Sequence, residues 1–157
     1  MPIDAILTAL RKRYHFSEGE VPHDAGDMVH EVGKAREALL YSLLFVPKFS
    51  IVDDSVLLTY ADSDIEGRFL EAKKAGRLSL EELEASFNLV EVGFLFDNRD
   101  FDADEECLLA KRIVAAWRGA LAVFCPDRRM IVHVAPPEDY GGNTVVTFFE
   151  RRSEPSC

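Results

Sequence analysis

The sequence predicts an α+β fold, with helices packed on one face of a small, mainly antiparallel sheet of about four strands. Segments with helical spacing and short strand-like segments follow one another in the order helices, strands, helices, strands. No internal repeat and no long Pro/Gly linker interrupts this order. The length of 157 residues suits one domain, so we predict a single globular domain over residues 1–157 whose last few residues are disordered.

Two helices are predicted at the start of the chain. Apolar residues recur every three or four positions from Ile3 to Tyr14, and Pro2 suits the start of a helix. A longer stripe of the same spacing predicts one helix over residues 23–45. This helix must stop before Pro47, because the residue ahead of a proline avoids helical geometry.

A hairpin and a short helix are predicted next. Residues 49–52 and 56–60 are rich in β-branched and aromatic residues, and Asp53-Asp54 lies between them as the turn. The helix that follows covers about 64–75, and Gly76 is placed to end it.

The segment after Gly76 starts as a helix, but its end is ambiguous. Ser79 and Glu82 have the spacing of a capping box. Beyond them, residues 88–96 fit two patterns, since their apolar residues continue a helical spacing and also alternate as in a strand. The helical run is the longer of the two, so we predict that the helix continues through this segment.

The clearest helix begins at Asp102, where Glu105 completes a second capping box. Its apolar face includes Trp117, which we predict to be buried. Two strands, 129–135 and 144–150, then close the domain and are joined by a loop that contains Gly141-Gly142.

The charge and the cysteines restrict the partners and the compartment. The chain carries 28 acidic and 18 basic residues, a formal net charge of −10, so we expect it to bind neither nucleic acid nor anionic membrane. No apolar run approaches the roughly 20 residues of a membrane span, and the N-terminus lacks the pattern of a signal peptide. The three cysteines include no C-x-x-C pair. These features indicate the reducing compartment of the cytoplasm. We further predict a bacterial-type protein without a cofactor.

Two groups of residues are candidates for metal binding. His23, Asp27 and His30 would share one face of a helix, although the H-E-x-x-H zinc motif is absent. The acidic residues from Asp97 to Glu106 include the start of a calcium-loop pattern at Asp100, but Glu105 occupies position six and Lys111 position twelve, where the loop requires Gly and Glu. We therefore assign no metal ligand, and interpret the two groups as a solvated helix face and a helix start.

An arginine cluster is the sharpest candidate binding site. If the last two strands pair as an antiparallel hairpin, Arg128 and Arg129 meet Arg151 and Arg152 at its open end. Four guanidinium groups could bind phosphate or an acidic peptide, unless carboxylates of the chain itself neutralise them. His133 in the first of these strands could form a catalytic dyad with Cys107 or Cys125, but no spacing places either thiol beside it.

The sequence favours a non-catalytic, immunity- or adaptor-like interaction domain that binds a protein partner. This prediction depends on the small size, the acidic charge and the lack of a catalytic motif, and it leaves the oligomeric state open. One alternative is a metal-dependent enzyme that uses His23, Asp27 and His30 or the acids of 97–106. A second alternative is an anion or small-ligand binder that uses the arginine cluster.

Overall fold

A computed structural model describes residues 24–59, 64–95 and 102–152, together with Thr8, Arg11, Tyr14 and Phe16. This part of the chain has an α+β fold with five α-helices and two small antiparallel sheets, which confirms the predicted fold class. The chain divides into two compact units, residues 1–42 and 43–157, and each is considered by itself. Most of the first predicted helix and the last five residues lie outside the described part, so their predictions stay untested.

The predicted helix over 23–45 is two helices, α1 (Ala25–Val32) and α2 (Ala35–Phe45). Gly33 causes the break, because its backbone is extended, with φ −72° and ψ 138°. A Cβ atom at this position would lie 2.3 Å from the carbonyl oxygen of Val29, so only glycine allows the chain to turn so tightly here. The apolar spacing continues across the break, which is why it did not reveal the interruption.

The hairpin consists of β1 (Lys48–Val52) and β2 (Ser55–Thr59), as predicted. Asp53 and Asp54 form its two-residue turn with φ values of 46° and 66°, which are typical of the turns that match strand twist. Its two faces contribute to two apolar cores. Val56 and Leu58 belong to the larger core, whereas Val52 and Leu57 belong to a smaller one.

Helix α3 (Ile65–Ala75) ends at Gly76, whose φ of 62° is left-handed, as its predicted role requires. Helix α4 (Leu80–Phe87) begins with the predicted capping box between Ser79 and Glu82. The prediction that α4 continues through 88–96 is wrong for the residues described. The helix stops at Phe87, β3 (Leu89–Glu91) follows, and Val92–Phe94 forms a 3₁₀ turn. The alternating pattern was the correct guide to this segment, because Val90 and Val92 are both buried.

The second sheet has the strand order β3-β5-β4, with β4 (Met130–Ala135) and β5 (Val145–Glu150) paired as predicted. Helix α5 (Ala103–Phe124) packs on one face, where the rings of Trp117 and Phe148 meet edge to face at 5.9 Å. On the other face, the Thr147 hydroxyl donates to the carbonyl of Ala85 in α4. The strands thus form two sheets rather than one, and packing of all helices on one face is not confirmed.

Polar side chains bind outward-facing backbone groups at the edges of two strands, in place of a further strand. At β2, the fully buried Asn88 accepts a hydrogen bond from Leu58 N at 2.8 Å and donates one to Val56 O at 2.8 Å. At β4, Arg118 donates two hydrogen bonds to Val132 O. Because unpaired strand edges promote aggregation, these side chains protect the sheets as well as joining their neighbours.

Replacing Asn88 with leucine should lower the free energy of unfolding by about 2 kcal/mol. The change keeps a side chain of similar size but leaves two buried backbone groups without a partner, at about 1–3 kcal/mol each before the apolar gain is subtracted. Urea unfolding followed by circular dichroism measures the loss. The exposed Asn143 provides the same substitution as a control, with an expected loss below about 1 kcal/mol. Equal losses in the two variants would show that the Asn88 amide is not needed.

Candidate functional site

The β4–β5 hairpin brings the four predicted arginines together at its open end. Met130 pairs with Glu150, and Arg151 N donates to Arg129 O at 2.9 Å, so the predicted antiparallel pairing is confirmed. Arg128 and Arg152, the residues next to Arg129 and Arg151 in the sequence, form ion pairs with carboxylates of the protein.

Arg128 connects the hairpin to the turn between β1 and β2. Its guanidinium group forms ion pairs with Asp54 and with Glu150, the latter at 2.9 Å, and also donates to the carbonyl oxygen of Asp54 at 2.7 Å. Burial opposes the charge of Arg128, but these hydrogen bonds outweigh it and raise its pKa. This arginine is therefore engaged within the protein.

Arg152 connects the hairpin to α4. Its guanidinium Nη2 lies 2.7 Å from the carboxylate of Glu84, whose side chain is almost completely buried, and 3.2 Å from Glu150. The second oxygen of Glu84 accepts the backbone N–H of Glu150 at 2.8 Å, and Glu81 accepts that of Arg152 at 3.1 Å. Two side chains of α4 thus bind alternate N–H groups of the β5 end, where β3 no longer pairs.

The remaining two arginines are more exposed. Arg151 lies 3.9 Å from Glu81 and 5.8 Å from the ring centre of Phe149. Arg129 is exposed and has no ion pair within the described residues. Because Arg128 and Arg152 are neutralised from within, the geometry favours the structural alternative over the predicted anion site.

A cleft of about 270 Å³ lies beside this network, between the start of α4, the outer face of the β4–β5 hairpin and the turn at 137–140. We call it the His133 cleft. Carboxylates and rings dominate its lining, with Glu81, Glu82, Asp139, His133, Tyr140 and Phe149. Glu81 belongs both to this lining and to the arginine network, so the two features adjoin.

His133 is a partly buried, neutral imidazole in the His133 cleft. Its ring meets Phe149 edge to face at 5.9 Å, and its Nδ1 atom is buried without a hydrogen-bond partner in the described structure. Burial lowers its pKa, and the positive charge of Arg118 lowers it further. At neutral pH this side chain therefore adds no positive charge to the cleft.

The carboxylates make the His133 cleft negative. The Ser79 hydroxyl and backbone N–H donate to Glu82 at 2.7 and 2.8 Å, and these hydrogen bonds lower the pKa of Glu82. Asp139 is exposed on the short turn after β4. Arg151 lies 3.9 Å from Glu81 and the charge of Arg118 acts on His133, but the three carboxylates outnumber these two cations.

The metal-ligand candidates are not assembled in the described part of the chain. His23, Asp97 and Asp100 lie outside it, and Asp27 and His30 are exposed on α1. Asp102 and Glu105 form the predicted capping box at the start of α5. Among the residues described, no group of three His, Cys, Asp or Glu side chains is arranged to hold a metal ion.

The two cysteines that the structure describes show no sign of an activated thiol. Cys125 is buried at the end of α5, its thiol donates to Leu121 O at 3.3 Å, and burial raises its pKa. Cys107 is a free, half-buried thiol in the second turn of α5. The predicted alternative of a dyad with His133 therefore gains no support from the environment of either thiol.

Sequence reasoning missed the His133 cleft and the roles of Glu81, Glu84 and Asn88. The only available signal was the capping box, which correctly started α4 and so fixed the spacing of its two glutamates. The carboxylates interact with residues about 70 positions away, a separation that local patterns do not reveal.

Comparison with known proteins yields no relative. No protein-family model, curated protein or solved structure matches the chain. No helix in the described part is long and apolar enough to cross a membrane.

Proposed function

We propose that this protein is a non-catalytic interaction domain, and that its His133 cleft binds a lysine or arginine side chain of a protein partner. The observation that carries the proposal is the lining of the cleft. Three carboxylates, two aromatic rings and a neutral imidazole surround a cavity of side-chain size. Carboxylates attract a cation, and aromatic faces add cation–π attraction.

The charge of the whole protein supports a basic partner. A net charge of −10 speeds the approach of a positively charged surface and repels nucleic acid. An immunity- or adaptor-like role in the cytoplasm, in which a small acidic protein covers a basic surface, is the biological form of this proposal. The free thiols Cys107 and Cys125 are compatible with such a reducing compartment.

The proposal predicts that a short peptide with one central arginine flanked by glycines binds at the His133 cleft. Its NMR titration should give saturable shifts of the His133, Tyr140 and Phe149 rings, with a dissociation constant on the order of 1 mM, which weakens as salt is added. The same peptide with citrulline keeps the shape of arginine without its charge. It should produce no saturable shifts.

A matched pair of variants separates the cleft from the net charge. Asp139→Lys should weaken binding of the arginine peptide at least about tenfold, which corresponds to about 1.4 kcal/mol. Glu71→Lys changes the net charge equally on an exposed site of α3 and should weaken binding much less. Equal weakening would mean that only the long-range field attracts the peptide, and the proposed cleft would then be wrong.

The pH dependence of peptide binding follows from His133. Its pKa lies below the ordinary value of 6.5, so the ring is neutral at pH 7 and gains a positive charge only under more acidic conditions. Binding should therefore weaken as the pH falls from 7 through the His133 pKa. His133→Gln should remove this step while leaving the binding at pH 7 within about threefold.

A further inference from the structure

Among the residues that the structure describes, none pairs with the outer edge of β1. Val56 O and Leu58 N on β2 point away from β1, because Asn88 binds them there. Their pairing partners Ile51 and Phe49 must then direct their own N–H and C=O groups to the outer side of β1. Within the described part of the chain, neither residue has a hydrogen-bond partner on that side.

This edge differs from those of β2 and β4 and from the end of β5. Asn88 binds two outward groups of β2, Arg118 binds Val132 O of β4, and Glu81 with Glu84 binds the N–H groups at the end of β5. No described side chain performs this role at β1. An open edge offers N–H and C=O groups in a row, which is the arrangement that a further strand requires.

Apolar side chains flank the open edge. Ile51 is 55% exposed, and it lies on the same face of β1 as Phe49. Phe49 contacts Phe124 at a ring distance of 5.5 Å, and Phe124 is 41% exposed. On the opposite face, the Ser50 hydroxyl is buried without a hydrogen-bond partner in the described structure.

We propose that β1 pairs antiparallel with β1 of a second copy of this chain, about a two-fold axis at Ser50. In this register Phe49 lies opposite Ile51 of the second copy, and Ile51 opposite its Phe49. Each of these two pairs exchanges two hydrogen bonds, so four outward-facing N–H groups gain acceptors. β3 also lies at a sheet edge, but with three residues it offers a shorter row of backbone groups than β1.

The side chains are self-complementary in the same register. Each exposed Ile51 packs beside Phe49 and Phe124 of the other copy, which is a favourable pairing of β-branched and aromatic residues. The two Ser50 side chains meet on the axis, where their hydroxyls can bond each other. A two-fold interface requires this kind of self-complementary surface, which is why a second copy is the occupant we infer.

Charge favours this contact over other contacts between copies. The strand has no charged residue from Phe49 to Val52, and Asp53 and Asp54 at its end are paired with Lys73 and Arg128. The net charge of −10 opposes association elsewhere on the surface. Added salt should therefore strengthen the dimer, whereas it should weaken peptide binding to the His133 cleft, so the two proposals fail separately.

Sedimentation velocity over a concentration series tests the dimer. Two five-residue strands bury less than the roughly 1,200–2,000 Å² of a stable interface, so we expect a weak dimer that grows with protein and salt concentration. Ile51→Pro removes an outward N–H without breaking the β1–β2 ladder, so this variant should not form the dimer. Ile51→Val keeps the edge and should preserve it. Thermal unfolding checks that both variants fold. If the proline variant does not fold, Ile51→Lys is used in its place.

A cysteine placed on the axis tests the register. In a Cys107→Ser, Cys157→Ser background, Ser50→Cys places two thiols opposite each other, within the Cα separation that a disulfide allows. Mild oxidation should link this variant into a dimer, but not Lys48→Cys, which faces Val52 of the second copy. A parent protein that stays monomeric in high salt, a dimer that persists in Ile51→Pro, or equal linking of the two cysteine variants would overturn the proposal.

Discussion

Replacing Trp117 with alanine should lower the free energy of unfolding by about 3–5 kcal/mol. The indole is fully buried, meets Phe148 edge to face at 5.9 Å, and donates from Nε1 to Leu44 O at 2.8 Å. The variant would leave a large cavity in the main core and a buried carbonyl without its donor. Urea unfolding followed by circular dichroism measures the loss, because the variant lacks the only tryptophan and its fluorescence.

Two further variants divide this effect into its parts. Trp117→Phe keeps an aromatic ring but loses the donor to Leu44 O. It should lower the free energy of unfolding by about 1–3 kcal/mol, for the hydrogen bond and a partial cavity, which is less than the alanine variant loses. Val123→Ala, on the same helix at 84% exposure, should change stability by no more than about 0.5 kcal/mol. A loss below about 1 kcal/mol for Trp117→Ala would contradict its central place in the core.

Replacing Glu84 with leucine should cost about 3 kcal/mol of stability. The buried carboxylate binds Arg152 at 2.7 Å and the backbone N–H of Glu150 at 2.8 Å, and the variant loses both contacts. Removing one partner of a buried ion pair typically costs about 3–5 kcal/mol. We place the effect at the lower end because Arg152 keeps Glu150 as a partner and is 29% exposed.

A double-mutant cycle isolates the interaction between Glu84 and Arg152. Arg152→Leu alone leaves the buried Glu84 without its counter-ion and should also destabilise the protein, whereas the double variant replaces the pair by apolar side chains. The double variant should therefore be more stable than the sum of the single losses implies, by at least about 1 kcal/mol. Strictly additive losses would show that the two groups do not interact across the 2.7 Å contact.

The same network explains why an acidic protein gathers four arginines at one end of a hairpin. Arg128 and Arg152 hold the β1–β2 turn, α4 and the end of β5 together through Asp54, Glu84 and Glu150. Their like charges do not need an external anion, because carboxylates of the chain lie between them. Arg129 and Arg151 are the exposed members, and of these two Arg129 has no ion pair among the described residues.

The sequence by itself determined the local elements. Capping boxes at Ser79 and Asp102 started two helices correctly, Gly76 ended a third, and the Asp53-Asp54 turn set the first hairpin. These signals act within a few residues, so the local structure that they specify does not depend on the tertiary contacts of the segment. The α+β class and the buried face of Trp117 followed from apolar spacing for the same reason.

The tertiary structure decided where those elements end and what they bind. Spacing favoured helix after Phe87, but Asn88 leaves the helix to close the β2 edge, and Val90 pairs with Val146. Burial of these groups outweighs local helix propensity, which amounts to less than about 1 kcal/mol per residue. The His133 cleft, the carboxylates beside the arginines and the open edge of β1 all depend on contacts between distant parts of the chain. Their energies depend on which groups the fold brings together, and no local pattern in the sequence records that.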